Sequence, residues 1–415
     1  MQEMQRDMVK KVLIVGAGHA AGQCAATLRQ KKYDGDITLV GDEAHPPYQR
    51  PPLSKDYLAG ELETARLYVK PPAFFEKENV TLHLNKSAQS IDRKEKKVSF
   101  SDDHVEAYDK LVLATGARVR KLNCPGADLP GVGYVRSIVD VEAMQEAFSK
   151  EGARIVIVGA GYIGLEVAAV AAKRGLDVTV LEIGERVMAR VTSPTVSDFF
   201  QRFHKDRGVD IRLGVGIEAF EGDGRVETAV LTTGEKIPCD MAVVGVGILP
   251  NDDLAREAGL ETDDGIIVDA ITQTSDPDIF AIGDCTRHPS NYFGGMLRLE
   301  SVHNAIEQGK TAAAAILGDA APYDQVPWFW SNQFDLKLQT VGICTGRYDR
   351  EVVRGSVDDA KFSVFYLSGD QLIAVDSINM PGDHMASRRI IAMKRPVDGD
   401  MLEDPDFELK TLMRA

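Results

Sequence analysis

The feature that most constrains the fold of this chain is a glycine-rich turn that occurs twice. The first copy, G-A-G-H-A-A-G at residues 16–22, follows the apolar residues 12–15, and the second, G-A-G-Y-I-G at residues 159–164, follows the apolar residues 155–158. An Ala-rich helical pattern follows each copy. Glycine lets a chain bend sharply out of a strand and lets the backbone approach a pyrophosphate, which binds the free N–H groups at the helix start. The repeat therefore predicts two dinucleotide-binding units.

An acidic residue follows each copy at the distance that a ribose requires. Asp42 and Glu182 each come at the end of a second apolar run, about 20 residues beyond the turn. A single match could be a tight strand-to-helix turn without a ligand. The match of strand, turn, helix and acid in both copies favours two real sites.

The order of patterns predicts an α/β fold with two Rossmann-like domains and a C-terminal α+β domain. Residues 109–117 read as a buried strand that ends in a glycine turn, residues 121–133 read as a linker, and residues 279–284 read as a strand that returns to the first unit. Short alternating runs follow residue 328, with a helical segment at 385–394, which indicates a small antiparallel sheet. The predicted boundaries are 1–117 with 249–327 for the first domain, 118–248 for the second and 328–415 for the third.

Composition excludes several classes of protein. The net charge of −15 opposes nonspecific binding to nucleic acid. No apolar run approaches the roughly 20 residues that span a bilayer, and the charged first residues do not resemble a secretion signal, so we expect a cytoplasmic protein without membrane insertion. The five cysteines stand singly, with neither a CxxC pair nor metal-ligand spacing, so no metal site is predicted.

Several further motifs resemble one known group. The segments L-A-T-G at 113–116, G-V-G-I-L-P-N at 245–251 and I-F-A-I-G-D at 279–284, together with both turns, are similar to the glutathione-reductase-like flavoproteins that bind two dinucleotides. Within that group, R-P-P-L-S-K at 50–55 resembles the FAD-dependent NADH:ferredoxin reductases of oxygenase systems, of the putidaredoxin reductase and biphenyl-dioxygenase reductase type. Rubredoxin reductases and apoptosis-inducing factor share this segment.

The resemblance implies that the first turn and Asp42 bind FAD, with Asp284 on the ribityl chain and Arg50 and Arg136 on the flavin nucleotide. The residues that it implies for FAD are Gly16, Gly18, His19, Ala20, Asp42, Arg50, Lys55, Ala114, Thr115, Gly116, Arg136, Gly283, Asp284, Ser301, Val302 and Trp330.

The second turn is expected to bind NADH. A carboxylate at Glu182 favours a free 2'-hydroxyl and repels a 2'-phosphate, although Arg186 and Arg190 leave room for NADPH. The residues expected at NADH are Gly159, Gly161, Tyr162, Ile163, Gly164, Glu182, Arg190, Gly245, Val246 and Gly247.

Lys55 and Glu166 are the expected catalytic residues. In the family that the chain resembles, these positions pair beside the flavin, with the ammonium near N5. The alternative is a pair of ordinary solvated surface charges.

The missing cysteine pair decides which acceptor is expected. Disulfide reductases carry such a pair next to the flavin because it accepts electrons through dithiol chemistry. The resemblance therefore implies that hydride arrives from NADH and that FAD passes single electrons to a [2Fe-2S] ferredoxin, which would supply a cytochrome P450 or a Rieske-type oxygenase. A rubredoxin reductase, or a redox signalling protein like apoptosis-inducing factor, stays open as an alternative.

A basic patch on this acidic chain could steer an acidic ferredoxin. The candidates are Arg287, Arg298, Arg388, Arg389, Lys394 and Arg395. The alternative is a scatter of solvated charges.

Overall fold

A computed structural model describes residues 9–413, and the chain forms two compact units. The first unit comprises the described chain up to residue 49, residues 64–118 and residues 249–325. The second comprises residues 50–63, residues 119–248 and the described chain from residue 326 onward.

The strands are β1 (Lys11–Val15), β2 (Asp36–Val40), β3 (Val80–His83), β4 (Ala88–Asp92), β5 (Lys97–Phe100), β6 (Val105–Ala107), β7 (Lys110–Leu113), β8 (Ala117–Val119), β9 (Val132–Tyr134), β10 (Arg154–Val158), β11 (Asp177–Glu182), β12 (Val209–Leu213), β13 (Ile217–Glu221), β14 (Thr228–Leu231), β15 (Lys236–Pro238), β16 (Met241–Val244), β17 (Ile248–Pro250), β18 (Ile266–Ile267), β19 (Ile279–Ala281), β20 (Thr286–Ser290), β21 (Gly295–Leu297), β22 (Trp328–Gln333), β23 (Leu336–Gly342), β24 (Arg350–Ser356), β25 (Lys361–Ser368) and β26 (Gln371–Ile378). The helices are α1 (His19–Gln30), α2 (Pro72–Lys77), α3 (Ile138–Ser149), α4 (Tyr162–Lys173), α5 (Pro194–Lys205), α6 (Asp253–Glu257), α7 (Val302–Ile316), α8 (Pro381–Met393) and α9 (Gly399–Glu403).

The first unit is built on a parallel sheet with the strand order β19-β7-β1-β2-β3. Its central strands are apolar and buried on both faces, as expected for parallel strands that helices cover. Helices α1 and α7 pack closely because small residues face each other, and a Cβ on Gly309 would lie only 2.9 Å from the carbonyl oxygen of Ala20. The predicted return of the chain is confirmed, since β19 pairs with β7 in parallel.

The second unit repeats this architecture and adds another sheet. Its parallel sheet has the order β12-β11-β10-β16-β9, and an antiparallel sheet has the order β22-β23-β26-β25-β24. The predicted α/β class and the C-terminal antiparallel sheet are confirmed. The predicted linker 121–133 is wrong at its end, because residues 132–134 form β9 and pair with β16. The predicted helix at 385–394 begins earlier, with Pro381 in its first turn.

The two units group the chain differently from the three predicted domains, whose boundaries stay a prediction. Residues 50–63 belong to the second unit, where Tyr57 donates a hydrogen bond to Glu142 at 3.1 Å. The C-terminal sheet also belongs there, because Phe199 meets Phe362 with ring centroids 5.0 Å apart. Between residues 9 and 413, the helices are all too short or too polar to span a lipid bilayer.

Candidate dinucleotide sites and a buried ion pair

The first glycine turn connects β1 to α1 at the carboxyl end of the first sheet. Gly16 has a φ of +113°, and a Cβ on it would lie 2.1 Å from the carbonyl oxygen of Ala114. A Cβ on Gly18 would meet nothing within 4 Å, and Gly18 caps α1 without any side-chain hydrogen bond. No acidic side chain lies in the first turn of α1. The free N–H groups of α1 therefore face open space that suits an anionic group.

The predicted turn at residues 114–116 is held by a residue that sequence reasoning did not single out. Asn251 donates from its side chain to the Thr115 carbonyl at 2.9 Å, and the Thr115 hydroxyl donates to the Asn251 carbonyl at 2.6 Å. The backbone N–H of Asn251 also donates to the carbonyl of Gly116, whose φ is +64°. The sign of Asn251 in the sequence was its position at the end of the 245–251 motif.

The loop at Gly283 and Asp284 is likewise held by a missed residue. The side-chain oxygen of Gln308 accepts from the backbone N–H of Gly283 at 2.7 Å and from the hydroxyl of Thr286 at 3.0 Å. The signal was a polar pair, Asn304 and Gln308, four positions apart on an Ala-rich helix. Ser301 caps that helix by accepting from the Asn304 N–H at 3.1 Å, and Val302 begins it.

Buried polar atoms without partners support a ligand at this edge. Those of the first unit include Nδ1 of His19, Oδ1 of Asn304 and Nε2 of Gln308. Buried polar groups are normally hydrogen-bonded, so such orphans call for a partner. The residues fit a bound dinucleotide, and FAD would be held here by the first glycine turn, with Ala20 in its first helical turn.

The second glycine turn repeats the geometry between β10 and α4. Gly159 has a φ of +102°, and a Cβ on it would lie 2.4 Å from the carbonyl oxygen of Gly245, while a Cβ on Gly161 would meet nothing within 4 Å. A Cβ on Gly164 would lie 2.0 Å from the Gly159 carbonyl oxygen. Helix α4 also begins without a side-chain cap or an acid in its first turn. This turn fits a second dinucleotide.

The predicted acid of the second turn is built into the turn. The carboxylate of Glu182 accepts from the backbone N–H of Ala160 and from that of Gly184, both at 2.8 Å. The exposed guanidinium of Arg190 lies 3.6 Å from the place of a Cβ on Gly247. The structure therefore brings Glu182 and Arg190 to the same strand ends as Gly245 and Val246.

Arg186 does not supply a free cation to this site. Its guanidinium donates to the carbonyls of Ala189 and Thr192, each at 2.9 Å, and to the hydroxyl of Ser197 at 2.5 Å. Because these bonds occupy its fork, Arg190 is the remaining candidate that could meet a 2'-phosphate.

The two acids do not occupy equivalent positions. Strand pairing places Val40 beside Val15 and Leu181 beside Val158, so Glu182 corresponds to Gly41. Asp42 lies one residue further along and is exposed. A Cβ on Gly41 would lie 2.3 Å from the Cβ of Ala17, which explains why this position is small in the first copy.

Lys55 and Glu166 form a buried ion pair in the second unit. Their Nζ and Oε2 atoms lie 2.5 Å apart, and their side chains are 14% and 4% exposed. The alternative of two solvated surface charges is thereby excluded. Ser54 donates to the same carboxylate oxygen at 2.5 Å, and Ser331 donates to the other oxygen at 2.7 Å. A buried carboxylate needs such donors because its desolvation costs several kcal/mol, roughly.

A chain of side chains extends from this carboxylate. Gln333 donates to the Ser331 hydroxyl at 3.1 Å and accepts from Nε2 of His204 at 2.8 Å. Burial lowers the pKa of His204 to about 4, so the imidazole is neutral near pH 7. Ser331 and Gln333 lie one and three positions after the predicted Trp330, but their polar character gave no sign of this role.

The remaining residues predicted for FAD lie in the second unit. Arg50 donates to the carbonyl of Arg136 at 2.5 Å, and Trp330 lies 5.6 Å from Trp328 between ring centroids. Of the residues predicted for NADH, Tyr162 stacks on Phe329 with ring centroids 4.7 Å apart, and the next residue, Ile163, is exposed. Their contacts with cofactors stay predictions.

The six predicted docking cations fall into two groups. Arg287 is paired with Asp263, and Arg298 is paired with Asp264 at 3.2 Å and Glu300 at 2.5 Å. The other four belong to α8 or follow it. Arg389 and Arg395 are exposed, while the Arg388 guanidinium lies 5.1 Å from the Trp328 ring centroid.

Comparison with protein families identifies both parts of the chain. Residues 10–309 match the pyridine nucleotide-disulphide oxidoreductase family, and residues 328–413 match the reductase C-terminal family. The rhodocoxin reductase of Rhodococcus erythropolis is 44% identical over 400 residues, which cover 96% of this chain and 93% of that protein. A rubredoxin-NAD(+) reductase of Pseudomonas putida is 40% identical over 89% of this chain and 96% of its own length.

Solved structures show the same likeness. The ferredoxin reductase for the CYP199A2 system of Rhodopseudomonas palustris has a TM-score of 0.94 and 44% identity, covering 97% of this chain and 99% of that one. The reductase in the covalent putidaredoxin reductase–putidaredoxin complex has a TM-score of 0.94 and 40% identity, covering 98% of this chain and 99% of its own.

Proposed function

The chain belongs to the pyridine nucleotide-disulphide oxidoreductase family, and from that premise we propose that it carries electrons from NADH through FAD to a [2Fe-2S] ferredoxin. FAD, when bound, supplies the step from a two-electron hydride donor to a one-electron carrier. The observation that carries this proposal is that the chain has two glycine turns shaped for dinucleotides and that none of its five cysteines forms a disulfide.

The thiols argue against the disulfide chemistry in the family's name. Burial raises the pKa of Cys24 and of Cys344 to about 12 and that of Cys239 to about 11. A thiol with a raised pKa is a poor nucleophile at neutral pH because the thiolate is the reactive form. Electrons must therefore leave by another route, and the ferredoxin reductases among the relatives indicate an iron–sulfur carrier.

For the first unit we propose that Gly16, Gly18 and Gly283 cradle FAD, and for the second unit that Gly159, Glu182 and Arg190 bind NADH. Lys55 and Glu166 are proposed as the catalytic pair. Their side chains form a buried ion pair, in which each charge offsets the cost of burying the other. For the other predicted cofactor residues we propose the same contacts that the resemblance implies.

An anaerobic titration tests the proposal. Purified protein should be yellow, NADH should bleach it, and the reduced protein should then reduce a [2Fe-2S] ferredoxin in a stopped-flow instrument. Rubredoxin is the matched competing acceptor, and faster transfer to it would favour the rubredoxin reductases instead. A preparation that releases no flavin on extraction, or that reduces glutathione disulfide faster than either iron protein, would refute the proposal.

We propose that the ferredoxin docks at the cations of α8 and the residues after it, rather than at the paired Arg287 and Arg298. Charge reversal of Arg389 and Arg395 to Glu should slow ferredoxin reduction about tenfold at low salt, because steering depends on the local field. Ferricyanide reduction should stay nearly unchanged. Arg202→Glu, at another exposed arginine of the second unit, is the matched control. Equal losses with both acceptors would contradict this docking surface.

A cytoplasmic location and a terminal cytochrome P450 or Rieske-type oxygenase complete the proposal. The free cysteines support the former because thiols persist in reducing compartments. Fractionation of cells checks the location, and reconstitution with the oxygenase of the same strain checks the end of the chain.

A further inference from the structure

The loop between β11 and α5 carries Arg190 and has a fixed internal shape. It spans residues 183–193, directly after Glu182. Arg186, itself a residue of this loop, donates hydrogen bonds from its guanidinium to the carbonyls of Ala189 and Thr192. Arg186 thus closes the loop on itself, but these bonds do not fix where the loop lies over the second glycine turn.

One contact ties this loop to the second glycine turn. The backbone N–H of Met188 donates to the carbonyl of Ala160 at 2.9 Å. Met188 is 3% exposed and has a φ of +51°, a left-handed conformation that costs about 1–3 kcal/mol for a residue other than glycine. A residue keeps such a conformation only where its surroundings hold it, so further contacts must fix the loop.

Those contacts come from the C-terminal region, namely from the turn that follows β23 and from strand β26. The hydroxyl of Thr345 donates to the carbonyl of Arg190 at 2.9 Å, and the thiol of Cys344 lies 3.7 Å from the carbonyl of Val191. The hydroxyl of Thr192 donates to Oδ2 of Asp376 on β26 at 2.5 Å. We call Cys344, Thr345 and Asp376 the C-terminal clasp.

Asp376 is an unusual residue for the interior of a sheet. It is 3% exposed and accepts a second hydrogen bond from the hydroxyl of Tyr366 at 2.7 Å. Burial raises the pKa of Asp376 to about 6, and the two groups that donate to its Oδ2 are both hydroxyls. Burying a carboxylate costs free energy, so packing of the sheet alone does not favour an aspartate at this position.

We propose that the C-terminal clasp is a positioning element of the NADH site, in which Thr345 and Asp376 hold the loop so that Arg190 stays over the Gly245–Gly247 turn. This inference rests on the proposed NADH site. It gives the C-terminal region, which has no dinucleotide turn of its own, a part in nucleotide binding. A loop released from the clasp spends less time in the competent position, and apparent affinity falls by that fraction.

Two isosteric variants test the inference on the complete flavoprotein. Thr345→Val and Thr192→Val each remove one hydroxyl while keeping the shape of the side chain, and Thr345 is exposed, so its loss should not disturb folding. We expect the KM for NADH and the Kd of NAD+ in calorimetry to rise roughly 3- to 10-fold, the worth of a typical hydrogen bond. The kcat with saturating NADH and ferricyanide should stay unchanged. Thr345→Ser and Thr192→Ser should restore both constants.

Thr411→Val is the matched control, because Thr411 is also exposed and its hydroxyl also donates to a backbone carbonyl, that of Glu408 at 2.8 Å. It should leave KM and Kd unchanged. Unchanged constants in Thr345→Val and Thr192→Val, alongside a raised KM in Arg190→Ala, would overturn the clasp and leave the proposed NADH site intact. If Arg190→Ala and Glu182→Gln also bind NAD+ normally, the site itself is misplaced and the inference fails with it.

Discussion

The two glycine turns share a backbone but differ in how their surroundings complete them. In both, the first glycine has a positive φ and lies against the backbone of a neighbouring strand end, and the second glycine faces open space. In the second turn, the carboxylate of Glu182 bonds to the backbone of the turn itself. In the first turn the corresponding position is Gly41, which packs against Ala17. We propose that the shared part binds phosphate and that the different part distinguishes the ligands.

The third small residue differs as well. Gly164 cannot carry a Cβ, which would lie 2.0 Å from the Gly159 carbonyl oxygen, whereas the same position in the first copy is the fully buried Ala21. Gly22, the next residue, instead leaves room for Pro47, since a Cβ on it would lie 2.7 Å from the Cβ of that proline. Local packing therefore sets where each copy needs its third glycine.

The largest expected effect comes from the first glycine of each turn. Gly16→Ala would place a Cβ 2.1 Å from the Ala114 carbonyl oxygen, and Gly159→Ala would place one 2.4 Å from that of Gly245. We expect Gly16→Ala to yield protein with little bound flavin. Gly159→Ala should keep its flavin but lose about 100-fold in the rate of reduction by NADH. The visible absorbance of the flavin and anaerobic stopped-flow kinetics measure the two outcomes.

Gly175→Ala is the matched control for backbone strain. Gly175 has a φ of +73° and nothing within 4 Å of the place of its Cβ. It should lose some stability but keep both flavin and NADH reduction. If Gly16→Ala and Gly159→Ala lose the same ligand, the division of labour between the turns is wrong.

The next largest effects are expected from substitutions of the acids that follow the two turns, Glu182 and Asp42. Glu182→Arg removes the acceptor of two backbone N–H groups and adds a cation, so kcat/KM for NADH should fall about tenfold or more while that for NADPH rises. Asp42→Asn, at the exposed acid one position further along, should change flavin retention far less. A flavin loss in Asp42→Asn as large as the NADH loss in Glu182→Gln would show that the two acids are equivalent after all.

Much of the fold and part of the site could be predicted from the sequence. The turn geometry follows from glycine spacing and apolar strands, so α1, α4 and the returning β19 were predictable. The position of β9 was not, because three residues in a Pro- and Gly-rich stretch carry no periodicity, and only their pairing with β16 makes them a strand.

The site residues that were missed are polar groups defined by tertiary contacts. Asn251, Gln308 and Ser331 each hold a segment more than 20 positions away. Asn251 and Gln308 carried a local signal, but nothing near them in the sequence identifies the segment that each one holds. Lys55 and Glu166 were named through a resemblance, whereas their burial and the hydroxyl groups that donate to the Glu166 carboxylate appear only in the structure. Sequence motifs therefore locate the turns better than the groups that fix them.

A smaller effect is expected at the third small residue. Gly164→Ala must displace the second turn, so the KM for NADH should rise about tenfold with flavin content unchanged. Ala21→Gly makes the reverse change in the first copy, where it removes one buried methyl and helix propensity worth about 1 kcal/mol. We expect it to retain flavin and to lower Tm by about 2–4 °C. Equal losses of ligand in both variants would mean that the turns pack alike.

The smallest effect concerns the residue that follows the second glycine, His19 in the first turn and Tyr162 in the second. Burial lowers the pKa of His19 from 6.5 to about 4, whereas the pKa of Tyr162 is raised above its ordinary value. The unfolded chain therefore binds the proton of His19 more tightly, and stability is lost as pH falls from 6.5 toward 4. In protein stripped of flavin, whose phosphates would change the local charge, wild type should lose about 1 kcal/mol more than His19→Gln between pH 7 and 5.5 in urea unfolding. Tyr162→Phe should follow the wild-type pH dependence, because a tyrosine does not titrate in that range. Parallel curves for wild type and His19→Gln would show that the first turn does not exclude water from His19.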